Sequence, residues 1–243
     1  MSTHTHTAGG LARRPAVHIP GSASVRLAAL GGAVSFALIL AFANLTSGSP
    51  STTASAEKIF SYISVHDGRL QLAAVLYGLA MPAVLLFLSG LFRALREAEG
   101  GRPGLAVAAL GGGVLAAAST VTGALILGVT ATRIADIGTA SAPTWWTMYV
   151  TSFAATLLGL MLLVGATAVV SLESRLFPRW FGVASIALAL VAIVGAFAIG
   201  YATTTWILVT AVAAVILAGV WILLVSLFLW RDPELALPKG SHT

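Results

Sequence analysis

The chain has 243 residues, of which 58% are hydrophobic and only 9% are Asp, Glu, Lys or Arg. Soluble domains carry about 25% charged residues. This composition therefore excludes a soluble globular enzyme, a disordered chain and a disulfide scaffold, and it indicates a protein that crosses the membrane several times. Cysteine is absent, which also excludes iron–sulfur clusters, thiolate nucleophiles and cysteine-ligated zinc.

The first 26 residues are polar, contain Gly, Pro and Ser, and show no apolar periodicity. We expect residues 1–26 to form a disordered cytoplasmic tail, in which His4 and His6 make no metal site. Arg26 precedes an apolar run that reaches Ala41-Phe42-Ala43, a pattern also found at signal-peptide cleavage sites. The run is long enough to span a membrane, so we expect an uncleaved first span, with cleavage as the alternative.

Six uncharged, apolar segments each approach or exceed the roughly 20 residues that a membrane-spanning helix needs. They lie at residues 27–45, 70–92, 104–130, 147–171, 180–199 and 206–230. The last two are separated only by the polar stretch 200–205, where we expect a tight turn. The predicted fold is an all-α, six-helix transmembrane bundle that fills residues 27–230, followed by a cytoplasmic tail at 231–243.

Lysine and arginine are distributed unevenly between the two sides of this bundle. Of the 13 such residues, three (Lys58, Arg69 and Arg133) lie on one side and ten on the other. The positive-inside rule therefore predicts that both termini are cytoplasmic and that the protein resides in the cytoplasmic membrane. Because the basic residues flank apolar runs, the net charge of +5 indicates membrane topology and no nucleic-acid partner.

Two features bear on how the helices pack. In the third span, small residues recur every four positions at Gly104, Ala108, Gly112, Ala116 and Thr120. Such a face lets neighbouring helices approach closely, so we expect this span at the centre of the bundle. Pro82, in the middle of the second span, is expected to kink that helix, and whether the kink serves as a functional hinge stays open.

The predicted membrane interior lacks ionisable side chains. No Asp, Glu, Lys, Arg or His lies in the middle of a span, whereas proton relays, ion-coupled carriers and intramembrane metalloproteases mostly need such groups. We therefore predict no catalytic, cofactor-binding or metal-binding residue in the spans. The polar alternative is a small cavity formed by hydroxyl side chains of the third and fourth spans, namely Ser119, Thr120, Ser152 and Thr156.

The two predicted outer loops, of about 23 and 16 residues, hold the remaining candidate site. In the first, Ile59, Phe60 and Ile63 have helical spacing, which indicates a short amphipathic helix on the membrane surface. The candidate site is an outer-face cluster made of His66, Asp67, Arg69, Arg133 and Asp136. The alternative is that these side chains only cap helices and lie at the membrane interface.

Two short turns carry a resemblance to a known family. Phe177-Pro178-Arg179-Trp180-Phe181-Gly182 precedes the fifth span, and His66-Asp67-Gly68-Arg69 opens the second. With these turns, residues 27–230 resemble a bacterial family of uncharacterised, six-span integral membrane proteins grouped as a domain of unknown function. Phe177 and Phe181 stand where leucine is usual in that family. The resemblance implies the topology and no reaction or ligand.

Three functional classes remain. We favour a non-catalytic membrane component that contacts lipid, a partner membrane protein or a second copy of the chain. The second class is a carrier or channel for a neutral or apolar small molecule, which predicts a continuous polar cavity. The third is a membrane enzyme with an outer-face site, which predicts that the outer-face cluster converges within hydrogen-bonding distance.

Overall fold

The computed structural model describes residues 21–101, 104–201 and 205–232, in which it contains seven helices and no strand. The helices are α1 (Gly21–Leu45), α2 (Ala56–Val65), α3 (Asp67–Ala98), α4 (Leu105–Thr132), α5 (Ile134–Ser174), α6 (Arg179–Tyr201) and α7 (Thr205–Arg231). All except α2 are long and apolar enough to cross a membrane. The prediction of an all-helical, six-span membrane protein is confirmed at this level.

The six spanning helices form a closed ring. Each packs against the next in chain order, and α7 returns to pack against α1. Helices α3, α5 and α7 also touch one another across the ring, and α2 packs mainly on α5. The expectation that the third span is central is wrong, because α4 contacts only α2, α3 and α5 among the described helices. Its opposite face exposes Val107, Val114, Leu125 and Val129.

The small-residue face of α4 instead forms the most extensive helix pair, with α5. A Cβ atom on Gly112 would lie 2.6 Å from the backbone nitrogen of Leu163, and one on Gly159 would lie 2.5 Å from that of Ala116. These distances are shorter than any stable contact, so both positions require glycine. In lipid, such close approach of two backbones supplies the dispersion contacts that hold helices together.

Two predicted boundaries need correction. Residues 21–26, assigned to the disordered tail, form the first turns of α1, since Val25 is buried against the bundle and continues its helical packing. The second loop of about 16 residues is absent, because α5 starts at Ile134, directly after Arg133. Gly138, with a φ of 73°, bends α5 near its start, so the segment before the span is helical and folded over the bundle. The rest of the predicted tails, 1–20 and 233–243, and positions 202–204 of the predicted turn lie outside the described residues.

Aromatic side chains toward the end of the ring opposite α2 connect helices that are far apart in the sequence. Trp221 lies in the core, where its indole N–H donates to Ser185 Oγ at 2.8 Å and its ring stacks on Phe181. At the surface of that end, the guanidinium carbon of Arg26 lies 6.0 Å from the ring centroid of Trp230. This contact joins the start of α1 to the end of α7, so an even number of spans lies between these two points.

Helix α3 runs through Pro82 without interruption, and the proline is exposed.

The Gly112–Gly159 contact provides a direct test of the packing. Gly159→Ala should lower the stability of the detergent-solubilised protein by about 1–3 kcal/mol, because the added methyl group forces the α4 and α5 backbones apart. Gly111→Ala is the matched control, since a Cβ there meets no atom within 4 Å. Thermal unfolding followed by circular dichroism measures both variants. Equal midpoints for the two would contradict the packing described.

Candidate functional site at the α2 end

His66 and Asp67 lie at the junction of α2 and α3 and are engaged locally. His66 Nδ1 is 2.9 Å from the carbonyl oxygen of Tyr62, and the imidazole stacks on the Tyr62 ring at 4.6 Å. The Asp67 carboxylate accepts the backbone N–H of Gly68 at 2.6 Å. A carboxylate in the first turn of α3 is favourable because the helix dipole is positive there. Both side chains therefore shape the turn between the two helices.

Arg69 reaches back to the end of α1. Its guanidinium donates to the carbonyl oxygens of Asn44 at 3.0 Å and Ser47 at 3.1 Å, and to Ser47 Oγ at 3.0 Å. The last carbonyls of a helix lack intrahelical partners and carry partial negative charge. Arg69 thus satisfies the terminus of α1 and attaches the loop that follows it.

Arg133 and Asp136 form an exposed ion pair of their own. Arg133 Nε donates to Asp136 Oδ2 at 2.6 Å, and the two side chains are 65% and 67% exposed. Pairs this exposed contribute little to stability. Among the described residues, no hydrogen bond or ion pair joins this pair to His66, Asp67 or Arg69, and no group of three His, Cys, Asp or Glu side chains could hold a metal. The structure places the five residues of the outer-face cluster in three separate local arrangements.

The apolar side of helix α2 packs on protein instead of on lipid. Ile59 and Ile63 are fully buried in a cluster with side chains of α3, α4 and α5. Ser55 caps the helix by accepting the N–H of Lys58. Beside it, the pKa of Glu57 is below its usual range because a backbone N–H and the Ser55 hydroxyl donate to the carboxylate. The amphipathic pattern predicted the helix correctly. It could not predict what the apolar side contacts, because isoleucines that face protein and isoleucines that face lipid have the same spacing.

Trp146 holds the loop before α2 against the bundle. Its indole N–H donates to the carbonyl oxygen of Pro50 at 3.2 Å, and its ring is 1% exposed. Aromatic rings at centroid distances of 4.0–5.9 Å then continue inward from α2 through Tyr62, Trp146, Tyr149, Phe153, Tyr77 and Phe42. Trp146 and Tyr149 are buried, whereas the adjacent Trp145 is only half-buried. The sequence gives no sign of this difference between adjacent tryptophans.

A small cavity lies inside the ring, next to Tyr77. It measures about 50 Å³ and is lined mainly by apolar residues of α1, α3, α4, α5 and α7. Its polar lining consists of Tyr77, Thr120 and Thr156, of which the two threonine hydroxyls are 3.3 Å apart. Two of the four expected hydroxyl side chains thus line the cavity. Ser152 instead donates to the carbonyl oxygen of Tyr149 at 2.6 Å, and Ser119 is not part of the lining.

Comparison with known proteins provides no further assignment. No family model, no curated protein and no solved structure matches this chain.

The Trp146–Pro50 hydrogen bond can be tested with the adjacent tryptophan as a control. Trp146→Phe should lower the free energy of unfolding by about 1 kcal/mol, the usual value of one hydrogen bond, and expose the loop before α2 to protease. Trp145→Phe should change neither, because no described hydrogen bond involves its indole. Unfolding midpoints and limited proteolysis in detergent measure both effects. If Trp145→Phe were cleaved as fast as Trp146→Phe, or faster, the assignment of the loop contact to Trp146 would be wrong.

Proposed function

We propose that this protein is a non-catalytic component of the cytoplasmic membrane that acts by contacting lipid or a partner membrane protein. The observation that carries the proposal is the local engagement of the five candidate residues. His66, Asp67 and Arg69 complete helix ends, and Arg133 pairs with Asp136. In the described part of the chain, no hydrogen bond or ion pair joins one of these arrangements to another. Membership of the six-span family that its turns resemble is part of this proposal.

The proposed orientation, with both termini in the cytoplasm, is supported by the positions of the basic residues. The contact between Arg26 and Trp230 places the start of α1 and the end of α7 at the same end of the bundle. That end also carries Arg93, Arg96, Arg175, Arg179 and Arg231. The α2 end carries Lys58, Arg69 and Arg133, and one of these charges is neutralised by Asp136. The excess of arginine favours the end opposite α2 as the cytoplasmic one.

A carrier for a neutral or apolar small molecule is the second candidate, and the cavity at Thr120 and Thr156 favours it. Its volume of about 50 Å³ exceeds the roughly 10–15 Å³ that a single water molecule needs, so the cavity has room for water. A carrier would also need a continuous path from this cavity to both sides of the membrane. The third candidate is an enzyme at the outer face. The described residues do not support it, because the five candidate side chains do not converge.

Single cysteines test the orientation, because the natural chain contains none. Ser51→Cys lies in the exposed loop before α2, and Ser174→Cys lies at the exposed end of α5 on the opposite side. A membrane-impermeant maleimide should label the first in intact cells and the second only after permeabilisation. The reverse pattern would show that the termini face outward.

A third cysteine tests the cavity against the carrier alternative. Ala117 lines the cavity, and the adjacent Ala118 is on the exposed face of α4. If the bundle stays closed, Ala117→Cys should be as unreactive toward a water-soluble methanethiosulfonate as Ala118→Cys, with Ser51→Cys as the reactive standard. Reaction at Ala117→Cys alone would reveal a water-filled path and favour a carrier or channel.

A further inference from the structure

A groove on the outer surface of the ring separates the first turns of α1 from the last turns of α3. It measures about 90 Å³ and is lined by Ser24, Val25, Leu27, Ala28, Leu86, Ser89, Gly90 and Arg93. The floor is formed where the two helices come together, because a Cβ on Gly90 would lie 2.5 Å from Cβ of Ala28. Leu27 and Leu86 are 53% and 45% exposed. The groove therefore opens toward the surface that faces lipid.

Arg93 lies at one end of this groove. Its Nη1 donates to Ser24 Oγ at 2.9 Å, which uses one of the five N–H donors of the guanidinium. The side chain is exposed, and no carboxylate forms an ion pair with it in residues 21–101, 104–201 and 205–232. The hydrogen bond to Ser24 holds the guanidinium at this end of the groove. A planar, positively charged donor group therefore lies next to an apolar surface.

We propose that the groove between α1 and α3 binds an anionic glycerophospholipid, with its phosphate on Arg93 and an acyl chain along Leu27, Leu30 and Leu86. This proposal rests on the proposed membrane role and names the lipid class that the protein contacts. Guanidinium groups bind phosphate oxygens through paired, charge-assisted hydrogen bonds. Basic pockets between spanning helices on the cytoplasmic side are typical sites for anionic headgroups.

The apolar part of the surface selects a lipid over a free phosphate ion. Leu30, one turn further along α1, is 51% exposed, and Val34 beyond it is 44% exposed. These side chains continue the line of Leu27 away from Arg93 toward the middle of the membrane. A ligand with a phosphate and long apolar chains can contact both parts at once. Inorganic phosphate can contact only the guanidinium, and the groove would then contribute nothing.

Native mass spectrometry of the purified full chain in a non-ionic detergent tests the site. The probes are phosphatidylglycerol and phosphatidylcholine with identical acyl chains, together with inorganic phosphate. We expect phosphatidylglycerol to remain bound preferentially. Arg93→Gln should weaken its binding about tenfold, the effect of losing one hydrogen bond between charged groups. Arg96→Gln is the matched control, because it removes the same charge from an exposed position of α3 outside the groove.

Two further variants separate the groove from the charge and from folding. Ser89→Leu keeps Arg93 and fills the groove from an exposed position, so it should also weaken phosphatidylglycerol binding. Arg93→Lys keeps the charge but loses the paired hydrogen bonds, so it should weaken binding less than Arg93→Gln does. Unfolding midpoints equal to that of the unsubstituted chain would show that both variants fold. Equal losses in Arg93→Gln and Arg96→Gln, equal retention of the two lipids, or no loss in Ser89→Leu would overturn the proposal. None of these results depends on the cysteine labelling, so the proposed function can fail or stand separately.

Discussion

Hydrocarbon offers no hydrogen-bonding partners, and this constraint determines most of the structure. Serine and threonine side chains are frequent in the spans, and many of them donate to a backbone carbonyl three or four residues earlier, as in Ser35, Thr130, Thr167, Ser171 and Ser226. No buried side-chain nitrogen or oxygen is without a partner in the described residues. A hydroxyl group that donates within its own helix has no second hydrogen to donate to another helix, although its oxygen can still accept one. Helix association then depends on close contact between small residues, as where the backbones of α4 and α5 meet at Gly112 and Gly159.

The same constraint explains the charged residues at the ends of the bundle. Arg69 satisfies the last carbonyls of α1, and the carboxylate of Glu99 accepts the N–H groups of Leu105 and Ala106 at 2.8 and 3.0 Å at the start of α4. Each neutralises a helix end that would otherwise face the membrane interface with unpaired groups. Charges used in this way are structural, so their presence near a turn does not by itself indicate a site.

The spans and helix α2 could be predicted from the sequence because they depend on local composition and period. Which residues meet across the ring could not. The stripe from Gly104 to Thr120 predicts a close helix contact, and α5 provides it, but the stripe does not say that α4 lies at the edge of the ring. The early start of α5 was also missed, because the bend at Gly138 follows from its positive φ and from packing of the preceding segment against α2 and α3. The cavity at Thr120 and Thr156 was predicted only in part, since Tyr77 enters it from another helix.

These observations together limit where the protein can recognise another molecule. The interior of the ring is almost entirely apolar, and its cavity of about 50 Å³ carries hydroxyl groups but no charge. At the α2 end, Arg69 is bonded to the terminus of α1, and Arg133 and Asp136 are bonded to each other. At the opposite end, Arg93 contacts only a serine hydroxyl among its described hydrogen bonds and lies beside a groove open to lipid. A ligand that reaches Arg93 along this groove would approach from within the membrane plane, and the anionic glycerophospholipid proposed above matches the charge and the apolar length of that surface.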